Sequence, residues 1–298
     1  MKKKLTDLAA DTNLSQEADD HSYSLELSRD WNGFGPVGGY LASIAVRAAG
    51  LDSGRALPAS LQCAFLRQPA FDRIQVQVST MTSTKRATAS EVVLRQHGAT
   101  FARAMVWTVD SDLDGMVHDR SPMPRVEPPD AYTSLETVLP ASFQLRFADI
   151  WKGVEERPIN YDFENWCRPA DDPRIFGWYR FRPASRFTDW YVDVARPTIL
   201  IDMLPTGAAL ASSPQNTGFT AMSLDLTVHF HRPCDQSEWL LVEAESPVAR
   251  IGLVSGRTAV WSADGLLVAT GCQQMLCRPL PARSALHESG QARLLLWS

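Results

Sequence analysis

The chain has 298 residues and a formal net charge of −5, with 45% hydrophobic and 21% charged residues. This length suggests one large domain or two domains of about 150 residues each, and the hydrophobic content argues against an intrinsically disordered chain. Because proteins that bind nucleic acid present a basic surface, the acidic charge balance predicts no nucleic-acid partner.

Three features of the sequence indicate a cytoplasmic protein. The most apolar stretch, residues 197–205, has an acid in its middle and falls short of the ~20 apolar residues that cross a bilayer, so no membrane partner is expected. The basic residues 2–4 are followed by two acids and no apolar run, which predicts no secretory signal. The five cysteines are scattered and odd in number, so no disulfide framework is predicted.

The first half is predicted to contain a strand, a helix and then a series of strands. Alternating residues predict a strand over 21–27, and the turn-like segment 30–36 leads into a helix predicted over 37–49. Pro36 suits the first turn of that helix, and Gly50 suits its end. Four strands are predicted to follow, at 60–67, 73–79, 89–96 and 100–109.

The second half repeats this order. A strand is predicted over 178–181 and a helix over 197–211, although Pro205 is expected to kink or end that helix. The turn at Asp264-Gly265 falls 167 residues after a matching turn at His97-Gly98, which indicates a repeated unit. The remaining strands are predicted at 224–230, 239–244, 250–261 and 266–276.

Two copies of a strand, a helix and about four antiparallel strands predict an α+β fold, in which each sheet wraps one central helix. We place the N-terminal unit at residues 15–115, a proline-containing linker with one short helix at 116–159, and the C-terminal unit at 160–282. The tryptophans near the linker are predicted to bury the interface between the units, or else to line a pocket; they are Trp151, Trp166, Trp178 and Trp190.

Three segments of the sequence resemble the acyl-CoA thioesterase II family, whose members have a tandem double-hotdog fold. The segments are Asn32-Gly-Phe-Gly-Pro-Val-Gly-Gly-Tyr-Leu-Ala42, Ser223-Leu-Asp-Leu-Thr-Val-His-Phe-His-Arg-Pro233 and Gly265-Leu-Leu-Val-Ala-Thr-Gly-Cys-Gln-Gln-Met-Leu-Cys-Arg278. They follow the family's order and span nearly the whole chain. The resemblance implies an α+β double hotdog that hydrolyses an acyl-CoA thioester to a free carboxylic acid and coenzyme A, without a cofactor.

The resemblance also implies three catalytic residues. In that family an aspartate, a hydroxyl residue and a glutamine hold the attacking water, and by motif these fall on Asp202, Ser223 and Gln273. The aspartate would take a proton from the water, while the other two residues would fix the water's position. The family usually has threonine at the hydroxyl position, so Thr227 on the same predicted strand is kept as an alternative.

Asp202 and Gln273 stand out without the resemblance as well. Asp202 lies among aliphatic residues, where burial would raise its pKa toward the range of a general base. A helix cap, or an exposed position on an amphipathic helix, is the alternative for this acid. Gln273 shares its predicted strand face with apolar residues, where an amide without partners costs roughly 1–3 kcal/mol. A backbone partner is the alternative to a bound water.

The predicted substrate-binding groups lie in the first half. Backbone N–H groups of Gly38 and Gly39, near the start of the first helix, are predicted to bind the oxyanion, because a helix N-terminus favours negative charge. Close packing of the helix against its sheet is the alternative reason for glycine at these positions. The candidates for binding the phosphates of coenzyme A are Arg67, Lys85 and Arg86.

Several alternatives stay open. A metal site is not predicted, because His229 and His231 share a strand face without further ligands at suitable spacing. A non-catalytic acyl-CoA-binding protein would be favoured if Asp202 were exposed and distant from Gln273. A hotdog hydratase or dehydratase would bring a catalytic histidine near a helix, and neither predicted helix contains one. Because a tandem pair still leaves sheet edges exposed, a homodimer of double-hotdog subunits is also expected.

Overall fold

The computed structural model describes residues 7–138, 149–161, 174–212 and 218–279. Within this part of the chain, thirteen strands form one antiparallel sheet in the order β1-β2-β4-β5-β6-β3-β10-β13-β12-β11-β8-β7, with β9 beside β13. The strands are β1 Ser15–Gln16, β2 Ser22–Glu26, β3 Leu57–Phe65, β4 Arg73–Ser83, β5 Ala87–Gln96, β6 Ala99–Val109, β7 Val154–Pro158, β8 Arg174–Phe181, β9 Phe219–Ser223, β10 Asp225–Phe230, β11 Trp239–Arg250, β12 Leu253–Ser262 and β13 Leu267–Pro279.

Two long helices pack against this sheet, one in each half. The first central helix is Gly38–Ser53, and the second central helix is Ala195–Ala211. The short helical segments are Leu8–Asp11, Leu135–Val138, Ile150–Gly153 and Trp190–Asp193, with 3-10 turns at Arg29–Trp31 and Pro129–Ala131. The first helix contacts β3 to β6 and the second contacts β8 to β13, so the predicted α+β class with a sheet wrapped around a helix in each half is confirmed.

Strands β3 and β10 join the two halves into one sheet. Leu61 lies opposite Val228 and Cys63 lies opposite Leu226, and all four side chains are buried. The two central helices also pack against each other, and one cluster of buried apolar residues extends through both halves. The two predicted copies therefore share a single hydrophobic core.

The second central helix continues through Pro205, which the sequence predicted would kink or end it. Proline lacks the N–H that would bond to the carbonyl of Ile201, yet the helix does not end before Ala211. A Cβ atom added to Gly256 would lie 2.4 Å from Cβ of Pro205, and one added to Gly271 would lie 2.5 Å from Cγ2 of Ile201. These two glycines let the helix approach the sheet closely, and tertiary packing outweighs the local cost of the proline.

The strand predicted over 224–230 corresponds to β10, and a break at Leu224 separates it from the preceding strand, β9. Strand β9 pairs with β13, whereas β10 pairs with both β13 and β3. Leu224 lies between them, where its backbone N–H donates to β13 and its backbone C=O accepts from β3. Ser223 and Thr227 therefore lie on different strands, although the sequence placed them on one.

The segment assigned as a linker contributes to the C-terminal half. Its last residues form β7, which pairs with β8 and was not predicted. Its earlier residues pack over Trp178 and Trp261, whose indole N–H groups donate to the carbonyls of Glu127 and Ser121. Trp178 therefore holds the linker against the C-terminal half and does not bury the interface between the two units. Trp166 lies outside the described residues.

The sequence predicted no membrane-spanning segment and no disulfide framework. None of the helices in the described ranges is long and apolar enough to cross a membrane. Four of the five cysteines lie in those ranges, and each of them is a free thiol. Cys167 lies outside the described residues.

We expect Gly256→Ala to destabilise the fold. The new Cβ would lie 2.4 Å from Cβ of Pro205, so helix and sheet must separate locally, at the cost of about 1–3 kcal/mol that overpacked cores show. Urea denaturation measures the corresponding change in the free energy of unfolding. Gly115→Ala is the matched control, because nothing lies within 4 Å of a Cβ atom there. Equal stability of the two variants would contradict the close helix–sheet contact.

Candidate active site

Asp202 lies at the contact between the two central helices. It belongs to the second helix, and its side chain is buried against the first turn of the first helix. There its Oδ2 atom accepts a hydrogen bond of 2.7 Å from the N–H of Gly39. The N-cap residue of the first helix is Val37, which offers no side-chain cap. Asp202 therefore caps the first helix from the other half of the chain, at the end where the helix dipole favours a negative charge.

Ser223 and Gln273 lie beside this carboxylate. The Ser223 hydroxyl donates to Oδ1 of Asp202 at 2.8 Å, and its Oγ lies 3.1 Å from Oε1 of Gln273. The Nε2 atom of Gln273 donates to the backbone carbonyl of Asp202 at 2.8 Å. Because a hydroxyl carries one proton, Ser223 bonds to one of its two acceptors at a time, and the other can accept a hydrogen bond from water. The structure thus brings together the three residues that the family motifs indicated.

Burial raises the pKa of Asp202 above that of an ordinary aspartate, and hydrogen bonds from Gly39, Ser223 and Gly38 lower it by a smaller amount. None of these hydrogen bonds comes from a cation, so burial has the larger effect and raises the pKa of Asp202, in the direction that the sequence predicted. Burial also raises the pKa of the Cys63 thiol, and the nearby charge of Asp202 adds to this effect. Asp202 is therefore a stronger base than an exposed carboxylate, whereas Cys63 remains a neutral thiol.

Gly38 and Gly39 lie where the two helices meet. A Cβ atom on Gly39 would lie 2.5 Å from Cα of Ile199 and 2.8 Å from the carbonyl oxygen of Thr198. Glycine is therefore required at this crossing, which is the packing role that the sequence left as an alternative. The N–H of Gly39 is bonded to Asp202 and is not free for an oxyanion. A Cβ atom on Gly38 would lie 2.9 Å from Oδ1 of Asp202, at the wall of a cavity.

This cavity has a volume of about 260 Å³ and lies over the Asp202 carboxylate, between the two halves. The first half contributes the loop before the first central helix and the end of β3; the second half contributes the second central helix, β9 and the end of β13. Trp151 lines the cavity as well, so the pocket-lining alternative holds for this tryptophan. Exposed apolar side chains form the rim: Phe34, Leu66, Leu224 and Leu276.

Few charged side chains line the cavity. Among the described residues of its wall, only Asp202, Arg67 and Arg278 carry a charge, and none is a histidine. Lys85 and Arg86, the other predicted phosphate-binding candidates, lie in the hairpin between β4 and β5 and are absent from this wall. Arg278 was not predicted, although it closes the third segment that carried the family resemblance.

A smaller apolar cavity of about 40 Å³ adjoins the larger one. The residues that line both cavities are Thr206, Leu210, Thr220 and Ala221. The far wall of the smaller cavity includes Val254 of β12 and Cys277 of β13. From Asp202 to Leu210 the second central helix rises by about 12 Å at 1.5 Å per residue, so the two cavities follow this helix for roughly two turns.

The remaining candidates lie elsewhere. Thr227 alternates on β10 with the buried residues Leu226 and Val228, so its side chain projects from the opposite face of the sheet. His229 is exposed on that outer face, and His231 follows the end of β10, where its ring contacts the Thr270 hydroxyl. None of these three residues lines either cavity, and Ser223 supplies the hydroxyl beside the carboxylate.

Two family models match the sequence. The one described as the acyl-CoA thioesterase N-terminal domain matches residues 27–109, and the one described as the acyl-CoA thioesterase C-terminal domain matches residues 122–277. The chain belongs to the acyl-CoA thioesterase family. The predicted family and the predicted enzyme class, a thioester hydrolase, are thereby confirmed.

One relative and two solved structures are also similar to this chain. The human protein named acyl-coenzyme A thioesterase 8 is 27% identical over 241 residues, which are 74% of this chain and 73% of that protein. A hotdog-fold protein of unknown function from Alicyclobacillus acidocaldarius has a TM-score of 0.77 at 18% identity, covering 92% of this chain and 98% of its own. The acyl-CoA thioesterase II TesB2 from Mycobacterium marinum has a TM-score of 0.74 at 20% identity, covering 92% and 99%. The two structures show the fold, so the predicted double hotdog is confirmed.

We expect Asp202→Asn to stabilise the protein at neutral and alkaline pH. Because the pKa of Asp202 is raised on folding, its contribution to stability is fully present below the pKa of an unfolded aspartate and is lost as the pH rises through the folded value. An asparagine keeps the acceptor for Gly39 and cannot ionise. Thermal unfolding followed by circular dichroism should therefore show the largest gain in midpoint at about pH 8 and the smallest at about pH 4.

A gain that is equal at both pH values, or a loss at the higher one, would contradict a buried carboxylate that ionises without a cationic partner. Asp225→Asn is the matched control, because this aspartate is exposed on the outer face of β10. Its substitution controls for the loss of one surface carboxylate.

Proposed function

We propose that this protein hydrolyses acyl-CoA thioesters to a free carboxylic acid and coenzyme A, with Asp202 as the general base. The observation that carries the proposal is a buried carboxylate with a raised pKa at the base of the cavity, hydrogen-bonded to Ser223. Gln273 lines neither cavity, but it lies within hydrogen-bond distance of the same hydroxyl, directly behind the cavity wall. The proposed chemistry uses water and these side chains and needs no cofactor.

In the proposed reaction, a water held by Ser223 and Gln273 gives a proton to Asp202 and attacks the carbonyl carbon of the thioester. The tetrahedral intermediate then breaks its C–S bond, and the departing sulfur takes the proton from Asp202. The products are the carboxylic acid and the free thiol of coenzyme A, and Asp202 returns to its ionised form. A raised pKa suits both steps, because the same group first accepts a proton and then donates it.

We assign oxyanion binding to the N–H of Gly38. In the resting site, the N–H groups of Gly38 and Gly39 both stabilise the Asp202 carboxylate. When Asp202 takes up the proton, its attraction for these groups falls, and the N–H of Gly38 at the cavity wall can then donate to the oxyanion. Gly39 serves the reaction by holding Asp202 and by letting the helices approach.

The alternative functions fit the site less well. A non-catalytic acyl-binding protein would be favoured by an Asp202 that is exposed and distant from Gln273, but Asp202 is buried and its backbone carbonyl accepts from the Gln273 amide. A hotdog hydratase or dehydratase would use a histidine, and the described wall of the cavity contains none. Hydrolysis by an activated water is therefore the function that the site supports best.

We also propose a cytoplasmic location, a role in lipid metabolism and a homodimer of double-hotdog subunits. Free thiols at Cys63 and Cys234 suit a reducing compartment. The edge strands β1 and β7 leave backbone groups for pairing with another chain.

Within the subunit we propose that the two units span residues 15–115 and 160–282. Strand β7, from the 116–159 linker, is then an addition to the C-terminal sheet.

We expect Asp202→Asn to lower kcat by about 10²-fold or more with little change in KM, because it removes the general base and keeps the shape of the site. Release of free thiol from a panel of acyl-CoA substrates measures this change. Asp225→Asn again serves as the control, since Asp225 is exposed and lines neither cavity. Equal rates from the wild type and Asp202→Asn would remove Asp202 from the mechanism, and no release by the wild type would favour a binding protein.

We propose further that the acyl chain extends from Asp202 along the second central helix toward the smaller cavity. The wall in this direction is mostly apolar and includes Met203, Gly207 and Leu210. Leu210 lines both cavities and is the largest of the residues that they share, so it lies at the boundary between the space near the thioester and the space that reaches Val254. The size of residue 210 should therefore limit the length of the acyl chain.

Leu210→Ala is expected to shift the substrate preference toward longer acyl chains, because it joins the two cavities. Each methylene newly accommodated should add about 0.8 kcal/mol of burial, which is about fourfold in kcat/KM. The measurement is kcat/KM over a series of saturated acyl-CoA substrates of increasing length. Leu51→Ala is the control, because Leu51 is exposed at the end of the first central helix. A uniform loss at every chain length would exclude Leu210 as the limit.

A further inference from the structure

Two arginines carry the positive charges of the cavity wall among the described residues. Arg67 lies in the loop after β3, and Arg278 lies near the end of β13, opposite Thr220 of β9. Both side chains are exposed, so they belong to the mouth of the cavity. Asp202, the acid of the same wall, is buried at its base. Charge along the cavity therefore changes from negative at the base to positive at the mouth.

Neither arginine has an ion-pair partner in the part of the chain that the structure describes. Arg55, Arg73 and Arg103 each pair with a carboxylate, whereas Arg86 and Arg95 are unpaired in the described residues but line neither cavity. Position at the cavity is therefore what sets Arg67 and Arg278 apart from the other unpaired arginines. The whole chain has a net charge of −5, so two unpaired cations at one opening run against the overall charge. Such a local positive potential attracts anionic ligands and raises their concentration at the opening.

Exposed apolar side chains lie on the same wall as these cations. Phe34, Leu66, Leu224 and Leu276 are large and solvent-accessible and lie around one opening, and exposed apolar side chains gathered in this way mark a ligand or partner site. An apolar rim combined with two cations fits a ligand that has a long neutral arm and an anionic end. Coenzyme A has this chemistry, because its thiol lies at one end of the pantetheine arm and its phosphates lie at the other.

We propose that Arg67 and Arg278 bind the phosphates of coenzyme A, while the pantetheine arm crosses the apolar rim and brings the thioester to Asp202. This inference rests on the proposed function and adds the residues that select a phosphate-bearing thiol carrier. It also orients the substrate, because the acyl chain runs toward Val254 and the carrier leaves through the mouth. A carboxylate at the far end of the acyl chain would lie in the apolar part of the cavity, away from the arginines.

The test compares thioesters that share one acyl chain and differ in phosphates: the acyl-CoA, its 3′-dephospho form and the acyl-pantetheine, which has none. We expect Arg67→Ala and Arg278→Ala each to raise KM for acyl-CoA several-fold, and the double variant to raise it about tenfold, with kcat nearly unchanged. The effect should be smaller for the 3′-dephospho form and absent for acyl-pantetheine. Arg86→Ala is the matched control, since Arg86 is exposed but lies away from the cavity.

Ionic strength provides a second readout. For the wild type, kcat/KM for acyl-CoA should fall as sodium chloride is added, because salt screens exposed charges. The double alanine variant should show a weaker salt dependence, and acyl-pantetheine should show little in either protein. Lysine at both positions keeps the charges and should restore part of the affinity, although it cannot form the bidentate contacts of arginine.

An equal rise in KM for acyl-CoA and acyl-pantetheine, or an equal effect of Arg86→Ala, would overturn the assignment. If the wild type cleaves no thioester, the proposed function fails, and calorimetry with coenzyme A then decides the role of the arginines separately. Coenzyme A should bind the double variant about tenfold more weakly than the wild type. Equal binding of coenzyme A by both proteins would overturn the assignment as well.

Discussion

The hydrogen bond from the N–H of Gly39 to the carboxylate of Asp202 is the contact on which the rest of the structure depends. It joins residues 163 positions apart, caps a helix that has no side-chain cap of its own and holds an acid at the base of the cavity. It also requires glycine, because a Cβ atom on Gly39 would collide with Ile199 of the facing helix. Within one chain this contact needs both units, so the tandem arrangement is a condition for the site.

The two units differ in what surrounds the start of each central helix. The first helix has a single acid, Asp52 near its C-terminal end, and so carries no counterpart of Asp202. At the start of the second helix, a buried ion pair joins Asp193 and Arg196. The Arg196 guanidinium also donates to three backbone carbonyls, those of Ser185, Cys234 and Ser237. The start of the first central helix is thus capped by an acid from the other unit. The start of the second central helix instead contains a buried ion pair between its own neighbouring residues.

Local patterns in the sequence predicted the elements, and contacts between distant residues account for the errors. Period-two alternation located β4, which buries one face, and the tight turn at His97-Gly98 marked the hairpin of β5 and β6, although β5 is largely buried on both faces. Pro205 was misread because its packing against Gly256 outweighs the local cost of a proline within a helix. Asp202 was recognisable as an acid in an apolar stretch and through a family motif. Arg278 was not, because its place at the cavity mouth follows from the pairing of β13 with β9, which no local pattern encodes.

A raised pKa would not by itself distinguish the active site from a structural acid. Burial also raises the pKa of Glu156, to about 7, although its carboxylate accepts hydrogen bonds from the hydroxyls of Tyr161 and Tyr179. Glu156 lines neither cavity, and the two tyrosines close around it. Asp202 is similarly buried, but its carboxylate forms part of a cavity wall. An enclosed acid holds its proton within the core, whereas an acid that opens onto a cavity can exchange its proton with a water held beside a substrate.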